Sequence, residues 1–209
     1  MSLVIDLHLH TRRHSACSAI DESLLIDRAV QAGLDGLVLT EHHYQWTRAE
    51  LDALVAQSAH PGFLLLAGFE YSSSHGDMLI YGLEPEAAKS FTPGHPPEVM
   101  LARAQSMGAV CIAAHPTRAA IPFDERIVDM PFEALEVKSV NLAPHEQRLA
   151  QKLADDLGRR ATAASDAHRL PDVGAYATEF LEPVQTIEDL RNSLQRGTFR
   201  PCVRAGQGN

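Results

Sequence analysis

The chain has 209 residues, 45% apolar and 22% charged, the balance of an ordinary globular protein. That length suits a single domain hiding roughly 70% of its unfolded surface, and no apolar run nears the ~20 residues that span a bilayer, the longest lying around Phe63–Leu66. A formal net charge of -9 argues against a broad nucleic-acid-binding face, whose footprint is basic. A small phosphorylated ligand stays compatible with it, because bound divalent cations reverse the field locally.

No basic start precedes a hydrophobic core and a small-residue cleavage site, so a cytoplasmic protein with no membrane partner is expected. Cys17, Cys111 and Cys202 are odd in number, far apart and form no Cys-x-x-Cys pair, which suggests neither a disulfide framework nor a structural zinc site. The eleven histidines are the informative excess, since imidazole is both a metal ligand and a general acid or base near neutral pH.

In chain order, Leu3–Leu9 reads as a strand. Asp21 to Ala32, with Leu24, Leu25, Ala29 and Val30 on one face and Gly33 as a stop, reads as a helix. Leu37–Thr40 is a second strand. Thr47 and Glu50 form a capping box ahead of a helix through Leu51, Leu54 and Val55. Phe63–Phe69 and Met78–Leu83 are strands, and Pro97 to Ser106 is a helix closed by Gly108. Val110–Ala114 and Ala134–Val137 are strands, Pro144 to Leu157 a helix closed by Gly158, and Ala161–Ala164 a short strand of small residues. Thr178–Leu181 is a further strand and Thr186–Leu194 a last helix, closed by Gly197. Alternating strands and helices predict βα units around a largely parallel sheet. About seven strands fit a closed barrel better than an open doubly-wound sheet, and both put chemistry at the carboxyl ends of strands.

The polar residues fall at those ends. Asp6, His8 and His10 end the first strand, and alternation puts His8 and His10 on one side. His42 follows the second strand, Glu70 ends the third, His115 follows Ala113-Ala114, and Asp166 and His168 follow Ala161–Ala164. A single histidine after a strand is commonly a loop residue. Five strand ends converging on one rim are different, because imidazoles and carboxylates gathered there repel or desolvate one another unless cations join them. Nitrogen and oxygen donors without thiolate suit zinc, manganese or iron.

These blocks resemble the PHP (polymerase and histidinol phosphatase) family over nearly the whole chain: Asp6-Leu7-His8-Leu9-His10-Thr11, Gly33-Leu34-Asp35-Gly36 leading to Thr40-Glu41-His42, Gly68-Phe69-Glu70, Ala114-His115-Pro116 and Ser165-Asp166-Ala167-His168. The resemblance implies a distorted, TIM-like (β/α)7 barrel forming one domain over residues 1–209. It also implies two or three divalent metal ions (Zn, Mn or Fe) and hydrolysis of a phosphoester. It assigns His8, His10, Glu70 and Asp166 to one ion, Glu70 and His115 to a second, and His42 and His168 to a third. A further ligand is expected after the first histidine pair, with His14 favoured over Cys17. The missing ligand of the second ion is sought at Glu136 or Asn141. The family commonly shows Asp where this chain has Glu41, a change expected to alter hydrogen bonding around the ligands.

His75 and Asp77 read as substrate contacts or an extra metal ligand, or equally as turn residues before the strand Met78–Leu83, His43 as a residue at the site mouth, and His60, His95 and His145 as surface residues. Arg12, Arg13, Arg118, Lys138 and Arg169 all follow site blocks and are candidates to hold phosphoryl oxygens, with Arg118 and Lys138 preferred and Arg118 first. His42 and His168 are assigned catalytic as well as ligand roles, a protonated His being able to stabilise the leaving oxygen. The expected partner is a small phosphomonoester, a nucleotide or an oligonucleotide end. An extended duplex is not expected, because its affinity needs many Lys and Arg. The competing readings are an amidohydrolase, which also opens on His-x-His but bridges its ions with a carboxylated Lys, and a non-catalytic metal-binding module. The short helix after His42 predicts an open rim.

Overall fold

The computed structural model describes residues 2–203. Its elements are β1 (Leu3–Asp6), α1 (Leu25–Gln31), β2 (Gly36–Leu39), α2 (Arg48–Gln57), β3 (Leu64–Ser72), β4 (Asp77–Tyr81), α3 (Pro85–Ala88), α4 (Pro97–Ser106), β5 (Val110–Ala114), β6 (Ala134–Lys138), α5 (Pro144–Asp156), β7 (Arg160–Ala163), β8 (Tyr176–Phe180), α6 (Ile187–Arg196) and β9 (Phe199–Val203), with short 3-10 turns between. Local signals set most boundaries. Thr47 accepts from Glu50 N while Glu50 accepts from Thr47 N, so the capping box opens α2. Gly197 at φ 69° closes α6 in the left-handed conformation that glycine adopts most cheaply.

The nine strands form one sheet in the order β7-β6-β5-β4-β3-β2-β1-β8-β9, which curls into a nearly closed barrel. The pairs β1–β2, β2–β3, β5–β6 and β6–β7 are parallel, and β3–β4, β4–β5, β1–β8 and β8–β9 are antiparallel. The expected seven βα units are therefore modified. β4 and β8 run against the others, and β9, which the sequence reading missed, adds an edge beyond β8. Closure is made past the strand ends. The Thr178 hydroxyl bridges Ala163 O and Ala163 N, Asp166 N–H donates to His8 O, and Leu9 forms a bridge with Ala167.

Because β4 runs backwards, its first residue, Asp77, stands at the same rim as the carboxyl ends of β3 and β5. Inward-facing Ile5, Leu7, Val38, Leu66, Leu79, Ile112, Ala134 and Phe180 fill the barrel below that rim with apolar side chains. Two further clusters cover the outside. One packs α3, α4 and α5 against β3–β6, and the other packs α1 and α2 against β1–β3 and β8. Helix α2 packs Leu51 and Leu54 into the outer cluster. Gly68 in β3 is needed for close approach: a Cβ there would stand 2.6 Å from Tyr81 Cδ1 and 2.7 Å from Ile80 O. No helix among the described residues is long and apolar enough to cross a membrane.

Candidate metal centre at the barrel rim

The first histidine pair does not sit on a regular strand. β1 ends at Asp6, whose carboxylate accepts from Ser165 N (2.8 Å), Gly174 N (3.1 Å) and His8 N (3.4 Å). This carboxylate turns the chain, and His8 and His10 emerge together beyond the turn with Nε2 atoms 3.1 Å apart. The loop that follows is tied down by Glu41, which is buried and accepts from Thr11 N, the Thr11 hydroxyl, Ser15 Oγ (2.6 Å) and Trp46 Nε1 (3.0 Å). The expected hydrogen-bonding role of Glu41 is thus exercised on the loop of residues 11–15 and Trp46.

Glu70 lies at the middle of the cluster. Its Oε2 is 3.4 Å from His8 Nε2, 3.3 Å from His10 Nε2 and 3.1 Å from His42 Nδ1, and its Oε1 is 3.0 Å from His115 Nε2. Asp166 Oδ1 stands 3.5 Å from His8 Nε2, 3.5 Å from His10 Nε2 and 3.6 Å from His168 Nδ1. Three groups have donor atoms mutually within 4.8 Å: His8, His10 and Asp166; His10, His42 and His168; and Glu70, Asp77 and His115. His115 (φ 30°), Asp166 (φ 52°) and His43 (φ 55°) hold positive φ. This conformation costs a non-glycine residue of order 1 kcal/mol or more and tends to gather at functional sites.

Glu136 and Asn141 hold the cluster in place from outside it. Glu136 Oε1 is 3.0 Å from His8 Nδ1 and its Oε2 accepts from His115 N (3.0 Å), so both oxygens are engaged in orienting the histidines. Asn141 Nδ2 donates to the Asp166 carbonyl at 2.8 Å. His168 Nδ1 faces that same carbonyl at 3.0 Å, which directs its other nitrogen outward.

His14 is not brought into the cluster. Its ring stacks on Tyr44 at 3.7 Å, lies edge-on to Trp46, and its Nε2 is 3.8 Å from Glu50. The two aromatic faces outcompete the polar rim for this ring. Cys17 is exposed and belongs to none of the three groups. His75 is exposed and turned to Ser74 and Arg126, whereas its neighbour Asp77 is buried in the cluster. His43 stands edge-on to Tyr71 at 5.7 Å beside the site.

Residues 144–199, from α5 to the start of β9 and including Asp166 and His168, match the family model described as PHP-associated. PsfC from Pseudomonas syringae has a similar structure over 98% of this chain and 92% of its own, with TM-score 0.75 and 20% identity. So has a two-domain protein from Bacteroides vulgatus containing a predicted PHP-like metal-dependent phosphoesterase, over 98% of this chain and 65% of its own, with TM-score 0.70 and 15% identity. The chain has the fold of these PHP-like structures. An amidohydrolase from Chromobacterium violaceum, solved with sulfate and no metal, covers 91% of this chain and 96% of its own with TM-score 0.62 and 20% identity. At such identities the likeness is one of fold. No curated protein sequence matches the chain.

The electrostatics of this rim are those of a cluster short of positive charge. Glu70, Asp77, Glu136 and Asp166 are all buried, and among the described residues no Lys or Arg forms an ion pair with any of them. Burial opposes a proton on His8, yet Asp166, Glu136 and Glu70 outweigh it and raise its pKa well above the ordinary value; His10 and His115 are raised in the same way. Burial likewise opposes charge on Glu70 and Asp166, and the facing imidazoles overcome it, lowering both. Asp77 is pushed up to about 6 by burial and then by Glu70, and His42 is pushed down to about 4 by burial.

Protons shared among the histidines balance only part of this charge. Asp166 Oδ2, Asp77 Oδ1, His42 Nδ1 and His115 Nδ1 are buried with no hydrogen-bond partner. Carboxylate and imidazole residues drawn together in three close groups, with such orphaned atoms among them, fit divalent cations.

The rim cations also sort themselves. Arg12 pairs with Asp21, Arg13 with Glu22 and Glu50 while lying over Trp46, and Arg169 with Asp172. Arg118, in the loop after His115, and Lys138, ending β6 at a bulge after Glu136, have side chains with no hydrogen bond or ion pair among the described residues.

Proposed function

We propose that this PHP-like protein is a metal-dependent hydrolase that cleaves a phosphomonoester, a nucleotide or an oligonucleotide phosphate end. The observation that carries the reading is the set of three mutually close groups of imidazole and carboxylate donors at the rim, several of these residues keeping a buried polar atom without a hydrogen-bond partner. One ion would be held by His8, His10, Asp166 and Glu70, a second by Glu70 and His115, and a third by His42 and His168. When bound, divalent ions supply Lewis-acid polarisation of a phosphoryl oxygen and a water of lowered pKa.

The chain supplies the rest. Arg118 and Lys138 neutralise charge spreading over the non-bridging oxygens. His168, with Nδ1 held on the Asp166 carbonyl, keeps its other nitrogen free for a ligand bond or for a proton to the leaving oxygen. The apolar filling of the barrel excludes water beneath the site, which strengthens each of these interactions.

An amidohydrolase reading draws on the Chromobacterium neighbour. Against it, the bridging role falls to Glu70, whose two oxygens face different donors, and no carboxylated Lys is required. Metal-stripped protein reloaded with manganese, zinc or iron should hydrolyse a phosphomonoester faster than a carboxylic ester or an amide. His8→Ala and Asp166→Ala should lose both activity and metal. Full activity of His8→Ala after chelation and dialysis would refute the metal mechanism. Metal binding with no turnover of any phosphoester would leave the non-catalytic module standing.

A further inference from the structure

Between the rim and α2 the chain passes through Gln45 and Trp46, whose residues are 8% and 1% exposed. Burial suits the indole, which is apolar apart from a nitrogen that donates to Glu41. It does not suit the carboxamide, whose donors and acceptor all want partners. Gln45 Nε2 donates to the Leu83 carbonyl, while Gln45 Oε1 has no hydrogen-bond partner. Turning the amide over would set its oxygen against that carbonyl, so the Leu83 contact fixes which atom is which. Oε1 is left needing a donor that none of the described residues supplies.

Gln45 and Trp46 also line a cavity of about 200 Å³ where α2, the turn between β4 and α3, and the start of α6 meet beside β3. None of the rim imidazoles or carboxylates lines it. Leu51, Leu83, Pro85 and Ile187 give it apolar walls beside Trp46, and exposed Arg48 and Glu84 stand where it meets solvent. One cation and one anion at the mouth select no net charge, and a charged group carried inside would lose its hydration among apolar side chains. Size limits the occupant as well, since an apolar cavity of about 150 Å³ holds one benzene ring. An apolar hollow in which a polar group fixes orientation is the usual form of a small-molecule site. We propose that this cavity binds a small uncharged molecule built on a single ring and carrying an O–H or N–H, as a phenol does, with the ring against Trp46 and the donor on Gln45 Oε1.

The test uses the full chain and fluorine NMR, with para-fluorophenol as the probe and fluorobenzene as the same ring without the donor. Para-fluorophenol should bind saturably, one molecule to a chain, and at least roughly fivefold tighter than fluorobenzene, the size of one neutral hydrogen bond. Gln45→Met, close in shape but without the amide oxygen, should bring the two affinities together. Ile187→Trp, which fills the hollow from its edge, should lose both ligands. Circular dichroism shows whether each variant is folded.

Three results overturn the proposal. Equal affinities of wild type for the two ligands would show that the acceptor takes no part. No saturable binding of either would mean that water alone satisfies Gln45 Oε1. Undiminished binding to folded Ile187→Trp would place the ligand elsewhere on the chain. Should Gln45→Met fail to fold, the wild-type comparison and Ile187→Trp still decide the matter. The variants leave every rim donor in place, so the outcome is separate from that of the metal experiments.

Discussion

Glu41→Ala tests how the loop behind the histidine pair is held. Glu41 is buried and is the acceptor for Thr11 N, the Thr11 hydroxyl, Ser15 Oγ and Trp46 Nε1, and Thr11, Ser15 and Trp46 are themselves buried. Removing the carboxylate strands four donors away from water. Each hydrogen bond to a charged acceptor is worth about 1.5 kcal/mol or more, and hydroxyls recover part of it by rotating to other acceptors. A loss of about 4 kcal/mol follows. For a domain of this size about 1 kcal/mol moves Tm by roughly 2–4 °C, so Tm should fall by roughly 8–16 °C. The measurement is thermal unfolding by circular dichroism in excess chelator, which removes any contribution of metal binding. Ser15→Ala, which removes one donor to Glu41 and the acceptor of His42 N but leaves the carboxylate in place, should cost about 2 kcal/mol. If Glu41→Ala lowers Tm no further than Ser15→Ala, the carboxylate is not the organising centre of this loop.

Three other outcomes follow from the same geometry. Glu136→Gln, which alters the group orienting His8 and His115 N–H, should weaken metal binding about 10- to 100-fold by isothermal titration while leaving the fold intact by circular dichroism; unchanged affinity would mean the orientation is set elsewhere. Lys138→Met or Arg118→Met should lower kcat/KM for a phosphomonoester by roughly tenfold or more with bound metal unchanged, and loss of metal instead would place these residues in a different role.

The metal-free protein should be most stable at mildly acidic pH. His8, His10 and His115 are raised above 6.5, so their contribution is complete below 6.5 and fades as pH rises through the raised values. Asp77, raised from 3.8 to about 6, acts in the same direction between those two values, because its buried neutral form is favoured. Glu70 and Asp166 are lowered from 4.5 and 3.8, so their contribution is present above those values and is lost on further acidification. Chemical denaturation in chelator from pH 4 to 9 should show this maximum, and saturating metal should move it upward by displacing the histidine protons. A metal-free optimum above pH 8 would contradict the charge account.

Much of this protein is legible in its sequence, because the signals are local. Strand β5 at Val110–Ala114 and helix α4 at Pro97–Ser106 lie where their apolar patterns and Pro and Gly stops put them. The histidines and carboxylates that form the rim cluster are found by their position just past apolar strands, and each needs only its own segment to be recognised. Strand β9 is not legible locally, because Phe199–Val203 contains Pro201 and carries no clear alternation, and among the described residues it pairs with β8, a pairing decided across the chain.

The departures at the site have the same origin. Nothing near Asp77 in sequence says that β4 runs antiparallel, and that direction alone brings the start of a strand to the rim where other strands end. Nothing near His14 says that Tyr44 and Trp46 will offer it an aromatic bed, or that Glu136 will spend both oxygens on His8 and on the His115 backbone. Periodicity and turn chemistry act within a few residues, so sequence determines which donors this chain owns and which strands carry them. Partner choice among buried polar groups depends on distances between segments far apart in the chain, and only the closed barrel fixes those distances.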